Sequence, residues 1–160
     1  MKVVVTGVNG QLGYDVVKEL NNRKYTEVIG IDIKDLDITN ENAVKDFMNI
    51  NKPDVIVHCA AYTAVDNAED NKKTCYDVNV NGTKHLVESA KELDAKFVYI
   101  STDYVFSGDK DSEYSLEDIP NPKSVYGETK YLGEVETLKH SKYFIVRISW
   151  VFGKNGNNFS

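Results

Sequence analysis

The sequence is poor in cysteine and histidine, the residues that most often build disulfides and zinc sites. Its two cysteines are Cys59 and Cys75, and its three histidines are His58, His85 and His140. The cysteines lack the spacing of a redox pair or a metal site, and the histidines are scattered along the chain. We therefore expect reduced, packed thiols and no metal site.

The sequence also lacks an excess of positive charge and a long apolar run. Among its 160 residues, 19 are basic and 25 are acidic, which gives a net charge of -6, and the two signs are interspersed. A chain without a basic face is a poor partner for nucleic acid. No apolar run approaches the length of a membrane span, and the first one, after Met1 and Lys2, is too short for a secretory signal. We expect a cytoplasmic protein that binds neither nucleic acid nor membrane.

Proline is scarce, and its distribution marks one long irregular segment. Two of the three prolines, Pro120 and Pro122, lie in the segment 103–123. Loops of this length usually bind ligands or are disordered. Because this segment directly follows Thr102, a candidate active-site residue, we predict a binding loop.

What the sequence does contain is a regular alternation of apolar runs and helical patterns. Predicted strands cover residues 2–6, 27–31, 55–59, 96–101 and 143–149, and their near-continuous apolarity indicates burial on both faces. Helical stripes are formed by Leu12, Val16, Val17 and Leu20, and by Leu86, Val87, Ala90 and Leu93. Further helices are predicted after the cap residues 37–40, ending at Lys52-Pro53, and over 124–139. This order predicts a Rossmann-type doubly wound parallel sheet, with residues 1–160 forming one NAD(P)-binding domain.

Three glycines between the first strand and the first helix predict a dinucleotide site. Gly7, Gly10 and Gly13 are spaced so that the backbone can turn tightly and approach a pyrophosphate at the helix N-terminus. Asp32 ends the second strand, where a carboxylate accepts hydrogen bonds from the adenosine ribose. Lys34 offers a charge for a 2′-phosphate, so the choice between NADH and NADPH stays open.

A second group of residues predicts reduction of a carbonyl. Tyr126 and Lys130 lie one helical turn apart, and the spacing predicts that the lysine ammonium lowers the pKa of the phenol. Thr102 ends the fourth strand, where its hydroxyl can hold a carbonyl while Tyr126 protonates the oxygen. Lys130 can also hydrogen-bond the nicotinamide ribose.

Four segments carry a resemblance to a known family. They are residues 6–13 (TGVNGQLG), 60–66 (AAYTAVD), 101–106 (STDYVF) and 126–130 (YGETK). In this order they resemble the dTDP-4-dehydrorhamnose reductases, which are extended short-chain dehydrogenases. The resemblance covers essentially the whole chain. It implies NAD(P)H-dependent reduction of dTDP-4-dehydro-L-rhamnose to dTDP-L-rhamnose for cell-surface polysaccharide. A homodimer is one possible assembly, and the sequence leaves the oligomeric state open.

The resemblance also implies roles for individual residues. Thr102, Tyr126 and Lys130 would be the catalytic triad. The cofactor would contact the glycine turn with Asn9, Gln11 and Leu12, and Asp32 at the end of the second strand. It would also contact Asp37 and Ile38, which begin the next helix near the adenine edge, as well as Ala60, Ala61, Tyr62, Tyr126 and Lys130. The nucleotide sugar would contact Val65, Asp66, Thr102, Asp103, Tyr104 and Trp150.

Related functions on the same fold are the alternatives. Nucleotide-sugar dehydratases have a glutamate where this chain has Tyr104, which disfavours them. Nucleotide-sugar epimerases use the same tyrosine and lysine, and the regulatory subunit of methionine adenosyltransferase shares the fold without catalysis. The chain departs from the family in two respects. It has Phe106-Ser107-Gly108 where Phe-Asp-Gly is usual, and family members continue past the equivalent of Ser160 into a lobe that closes over the sugar nucleotide.

Overall fold

A computed structural model describes residues 1–156 and places five parallel strands in one sheet. The strands are β1 Lys2–Thr6, β2 Glu27–Ile31, β3 Val55–His58, β4 Lys96–Thr102 and β5 Tyr143–Ile148. Their order in the sheet is β2-β1-β3-β4-β5, and every neighbouring pair is parallel. From β1 the chain first adds β2 on one side and then returns to add β3 on the other side. This reversal in strand order, next to β1, creates the crevice where such folds bind nucleotides. The predicted Rossmann-type fold is confirmed.

Helices connect the strands and cover the sheet. They are α1 Gln11–Asn21, α2 Glu41–Asn51, α3 Val65–Asp70, α4 Lys72–Tyr76, a π-helical turn Asp77–Gly82, α5 Thr83–Glu92 and α6 Val125–Thr137, with a 3₁₀ turn Asp103–Val105. Helix α1 packs on β1 and β2, α5 on β3 and β4, and α6 on β4 and β5. Within residues 1–156, no helix combines the length and the apolarity that crossing a membrane requires.

The predicted ends of α2 are confirmed by their capping contacts. The Asn40 side chain accepts a hydrogen bond from the Ala43 N–H, which satisfies one of the free donors at the helix start. At the other end Lys52 adopts a left-handed conformation, with φ of 46°, and donates to the Met48 carbonyl. Pro53 follows and cannot continue the helix.

The core lies around the central strands. Val3, Val4 and Val5 of β1 are almost completely buried, as are Phe97 and Tyr99 of β4. Helical side chains from α2 and α5 pack against them. Because β1 lies between two strands and under helices, its continuous apolar run is buried on both faces, as predicted.

The prediction that all five strands are buried on both faces is wrong for the two edge strands. In β5, Phe144 is 58% exposed and Val146 is 42% exposed, because the described chain does not cover that face at the sheet edge. In β2, Glu27 and Gly30 are exposed. The helical segment 65–82 was not predicted either, because its polar sequence has no apolar stripe.

Candidate active site

A cleft of about 920 Å³ opens at the carboxyl ends of the strands. Its walls come from the loops that follow each of the five strands. The volume lies in the range typical of ligand and cofactor sites.

The glycine turn brings backbone close to backbone at one end of the cleft. Gly7 has a φ of 73°, and a Cβ there would lie 2.7 Å from the Ala60 backbone. A Cβ on Gly13 would overlap the Gly7 carbonyl oxygen. Gly10 is the N-cap of α1, has no side chain with which to cap it, and leaves the helix N-terminus open to the cleft. This cradle can hold a pyrophosphate on backbone N–H groups, as the spacing predicts.

Asp32 and Asp37 both line the cleft after β2. One Asp32 carboxylate oxygen accepts from the Ile33 N–H at 2.6 Å, which fixes the side chain at the strand end. Asp37 accepts from the N–H and the hydroxyl of Thr39, so it lies in a turn before α2. Ile38 is largely buried under Gly82 while still lining the cleft.

The loop after β3 is held by side chains from two other elements. The Ala60 N–H donates to the Thr6 hydroxyl at 3.1 Å. Asn79 of the π-helical turn accepts from the Tyr62 N–H at 2.8 Å and donates to the Tyr62 carbonyl at 3.2 Å. The same Asn79 amide donates to the Thr129 hydroxyl of α6 at 3.0 Å. The loop and the helix that carries the candidate tyrosine and lysine are thus held in one arrangement.

His58 is a structural part of this network. It is fully buried, and burial lowers its pKa to about 3, with the charge of Lys130 acting in the same direction. The Thr83 hydroxyl donates to the Asn79 carbonyl, so it accepts from His58 Nε2 at 2.9 Å. Nδ1 then accepts from the Thr6 hydroxyl at 2.8 Å. A neutral imidazole therefore bridges β1 and α5. Among residues 1–156, no three His, Cys, Asp or Glu side chains are grouped to hold a metal ion.

The start of α6 is capped from two directions. The Ser124 side chain accepts from the Gly127 N–H at 3.0 Å, and Glu69 of α3 accepts from the Val125 N–H at 2.8 Å. A Cβ on Gly127 would overlap the Tyr104 carbonyl oxygen, so the glycine lets the 3₁₀ turn approach the helix. These contacts fix the first turn of α6, where Tyr126 lies.

Tyr126 packs between the 3₁₀ turn and the end of β4. The Tyr104 ring meets the Tyr126 ring edge-on, with centroids 5.6 Å apart. Burial raises the pKa of Tyr126, and a hydrogen bond with the Thr102 side chain acts in the opposite direction. The Thr102 hydroxyl also donates to the Asp103 carboxylate and accepts from the Tyr104 N–H, both at 3.2 Å. Tyr126 is therefore a protonated phenol at neutral pH.

Lys130 is buried and turned toward β4. Its ammonium donates to the Ile100 carbonyl at 2.7 Å and lies 4.4 Å from the centroid of the Tyr99 ring. Burial lowers the pKa of Lys130 to about 8. The prediction that Lys130 lowers the pKa of Tyr126 is wrong for this structure, because the pKa of the phenol is raised and Lys130 is not among the groups that shift it. The spacing brings the residues to one helix face, but the ammonium is directed at a carbonyl.

The cleft gathers the predicted residues with two exceptions, Lys34 and Asp66. The glycine turn, the Ala60 to Tyr62 loop, Thr102, Tyr126 and Lys130 all line it, as do Asn9, Gln11, Leu12, Val65, Asp103, Tyr104 and Trp150. Asp66 does not line it. It lies exposed on α3 because its neighbour Val65 occupies the position that faces the cleft. Trp150 is 82% exposed, so it forms an open wall.

Sequence reasoning missed several lining residues. Cys59, Thr74, Val78, Ser101 and Asn155 also reach the cleft. Ser101 and Cys59 adjoin predicted site residues, so strand-end position was a usable signal for them. Thr74 and Val78 lie on helical segments that the sequence did not predict, and no local pattern marked them.

Comparison with known proteins gives consistent matches. The family model described as RmlD substrate binding domain matches residues 1–160. A dTDP-4-dehydrorhamnose reductase of Aggregatibacter actinomycetemcomitans is 43% identical over 159 residues, 99% of this chain and 54% of that protein. Among solved structures, a dTDP-4-dehydrorhamnose reductase of Clostridium acetobutylicum has a TM-score of 0.96 at 46% identity, covering 99% of this chain and 56% of its own. That of Bacillus anthracis, solved in complex with NADP, has a TM-score of 0.95 at 45% identity, with the same coverage.

The chain spans about half the length of the curated relatives that it matches. Over that span the agreement is continuous, because the family model matches it from end to end. The chain therefore belongs to the RmlD substrate binding domain family, whose members compared above are named dTDP-4-dehydrorhamnose reductases.

Proposed function

We propose that this chain is the cofactor-binding part of an NAD(P)H-dependent reductase that converts dTDP-4-dehydro-L-rhamnose to dTDP-L-rhamnose. The observation that carries the proposal is the single cleft in which the glycine cradle meets Thr102, Tyr126 and Lys130. The names of the relatives supply the substrate. We propose residues 1–160 as one NAD(P)-binding domain.

The residues of the cleft suit the cofactor. Side chains on Gly7 or Gly13 would collide with the backbone that forms the cradle, and both positions carry none. The turn with Asn9, Gln11 and Leu12 would hold the pyrophosphate, Asp32 with Asp37 and Ile38 the adenosine, and Ala60, Ala61, Tyr62 and Lys130 the nicotinamide ribose end. A bound nicotinamide cofactor supplies hydride.

Proton donation would depend on side chains at the end of β4 and at the start of α6. The Thr102 hydroxyl would hold the sugar carbonyl, and Tyr126, kept protonated by burial, would donate its proton to the carbonyl oxygen. Tyr104, Val65, Asp103 and Trp150 would form the wall on the sugar side. Asp66 faces away from the cleft and drops out of the proposed contacts.

NADPH is the cofactor that we propose to test first. The relative from Bacillus anthracis was solved with NADP. Asp32 lines the cleft, where its carboxylate disfavours a 2′-phosphate, and Lys34 offers a positive charge two residues on without lining the cleft, so we expect both NADH and NADPH to bind. The proposed reductase activity takes precedence over epimerase or non-catalytic regulatory roles, because the relatives compared above are named reductases.

A cytoplasmic location and a homodimer stay predictions. The net charge of -6, with acidic and basic residues interspersed, supports the prediction that nucleic acid is not a partner. Sedimentation of the complete protein would measure the oligomeric state.

The test is an assay of the complete protein that carries this sequence. Oxidation of NADPH is followed with dTDP-4-dehydro-L-rhamnose, and the product is identified as dTDP-L-rhamnose by its mass and its sugar stereochemistry. Turnover that depends on both substrates supports the proposal. If the protein binds NADPH yet leaves the sugar unreduced, or inverts a sugar carbon without consuming NADPH, the proposal is wrong.

A further inference from the structure

Glu134 is a buried carboxylate one helical turn beyond Lys130 on α6. It is 2% exposed, and both of its oxygens accept hydrogen bonds from Arg147 of β5, at 2.8 and 2.9 Å. Taking such a pair out of water is costly, so a buried ion pair is weak evidence for stability by itself. Glu134 does not line the cleft itself, but it lies four residues along the same helix from Lys130, which does.

Arg147 is held in turn by the loop that follows β4. Its guanidinium lies 5.0 Å from the centroid of the Phe106 ring, and Phe106 stacks on Tyr114 at 4.2 Å. The arginine is partly exposed, whereas the carboxylate is not. Water therefore screens the positive member of the pair more than the negative member.

The surroundings of Lys130 are poor in other negative charge. Lys130 interacts with Cys59, which follows β3, with the neutral His58 of β3, with Cys75 of α4, with the Tyr99 ring of β4 and with Glu134 of its own helix, on which Tyr126 lies one turn earlier. Cys59 would stabilise the ammonium only as a thiolate. Burial raises the pKa of Cys59 to about 11, so at neutral pH this sulfur is a neutral thiol.

Tyr99 connects the two charged groups. Its ring lies beneath the Lys130 ammonium, and its hydroxyl donates to the Lys130 carbonyl at 3.0 Å. A Cβ on Gly133 would overlap the Tyr99 hydroxyl, so this glycine, next to Glu134, is what lets the ring fit. Burial is the larger cause of the raised pKa of Tyr99, and the charge of Glu134 is the second cause, which is consistent with its nearness to the ring.

We propose that Glu134 is a positioning residue of the active site, and that its carboxylate, anchored by Arg147, keeps Lys130 in the ammonium form. An ammonium can donate to the Ile100 carbonyl and still offer hydrogen bonds to a bound ribose, because it carries three donors. The role in catalysis rests on the proposed reductase function. The charge state of Lys130 does not, and it is measured separately.

The first experiment titrates Lys130 directly in the 160-residue chain. Lysine labelled with ¹³C at the ε position is followed by NMR from pH 6 to 11, and the Lys130 signal is assigned by its loss in Lys130→Met. In Glu134→Gln we expect the pKa of Lys130 to fall by about one unit. Glu128→Gln is the matched control, because Glu128 is exposed on the same helix, and it should leave the titration unchanged.

A second variant keeps the test decisive if Glu134→Gln unfolds the chain. The double variant Glu134→Leu with Arg147→Met replaces both charges by apolar side chains of similar volume, a change that buried pairs often tolerate. It should also lower the pKa of Lys130. An unchanged Lys130 titration in either folded variant would overturn the proposal.

The pH profile of the complete enzyme separates this inference from the proposed function. In Glu134→Gln we expect the loss of activity at alkaline pH to begin about one unit lower, with the rate near pH 6 little changed. A purely structural role would lower the rate equally at every pH. If the NMR shift appears and no sugar is reduced by the wild type, the electrostatic role stands and the proposed function fails.

Discussion

The two ends of the cleft differ in how completely the described chain builds them. At the cofactor end, Gly7, Ala60 and Tyr62 are held by backbone contacts and by buried side chains such as Asn79. At the end that follows β5, Trp150 and Phe152 are 82% and 77% exposed. One wall is packed, and the other is open to solvent.

This difference separates two activities that are usually measured together. The cofactor binding that we propose depends on the packed end, which residues 1–156 already assemble. Reduction of a sugar needs the carbonyl held within about 3.5 Å of the hydride donor, which an open wall does not ensure. We therefore expect the 160-residue chain to bind NAD(P)H and to reduce the sugar weakly or not at all.

The most damaging change should be Gly13→Val at the packed end. The new side chain would overlap the Gly7 backbone, so we expect a loss of stability of about 3 kcal/mol or more and no measurable NADPH binding. Denaturant unfolding and calorimetry measure both effects. Gly108→Ala, in the loop after β4, is the control, because a Cβ there meets no atom within 4 Å. Its φ of 78° is costly for alanine, so we expect a loss of only about 1 kcal/mol in stability and no change in NADPH affinity. Equal losses in the two variants would remove the contrast between the ends.

The second change, Tyr126→Phe, removes the proposed proton donor and leaves the packing. In the complete protein we expect the reduction rate to fall by about 10²- to 10⁴-fold, with NADPH affinity nearly unchanged. Steady-state assays and a binding titration provide the two numbers. Tyr131→Phe, five residues further along the same helix, should retain the wild-type rate. A Tyr126→Phe enzyme with wild-type turnover would rule out this tyrosine as the donor.

The third change, Lys130→Met, tests whether the Lys130 ammonium is buried, by comparing stability at several pH values. The pKa of Lys130 is lowered to about 8 in the folded chain from an ordinary value of 10.5, so between these values the unfolded chain binds more protons. The quantity to compare is the free energy of unfolding of the wild type minus that of Lys130→Met. This difference should be lowest below pH 8 and should rise between pH 8 and 10.5, by on the order of 3 kcal/mol in total. Denaturant unfolding at several pH values measures it, with the exposed Lys139→Met as the control. A flat difference across that range would mean that the ammonium is not desolvated.

The smallest effect on the site is expected at the outer face of β5. Phe144 and Val146 are exposed neighbours on one face of this edge strand, an arrangement that favours association. Replacing both by serine should reduce self-association of the chain in sedimentation and change NADPH affinity less than twofold. A large loss of affinity would show that the two ends of the cleft are coupled.

The packed end was also the end that the sequence predicted well. Each strand prediction lies within one residue of the observed strand, because runs of Val and Ile bounded by turn residues have few alternatives in this fold. The three glycines signal the cradle because their spacing reflects backbone geometry. Both signals are local in the sequence.

What the sequence did not predict depends on contacts between distant residues. The helices over 65–82 have no apolar stripe, and the π-helical turn is held by Asn79 contacts to Tyr62 and Thr129. The ion pair joins Glu134 of α6 to Arg147 of β5, two residues that are 13 positions apart in the sequence. The direction of the Lys130 ammonium follows from the Ile100 carbonyl, which helical spacing does not reveal.

The most direct measurement is a calorimetric titration of the 160-residue chain with NADPH and with NADH, repeated on Gly10→Val. A Cβ at this position meets only the Gly7 carbonyl oxygen, at 3.2 Å, so the fold should survive with a small shift while the valine blocks the pyrophosphate. We predict saturable binding to the wild type and none to a variant whose thermal unfolding remains cooperative. Absence of binding to the folded wild type, or equal binding to Gly10→Val, would contradict the claim that this chain alone assembles the cofactor site.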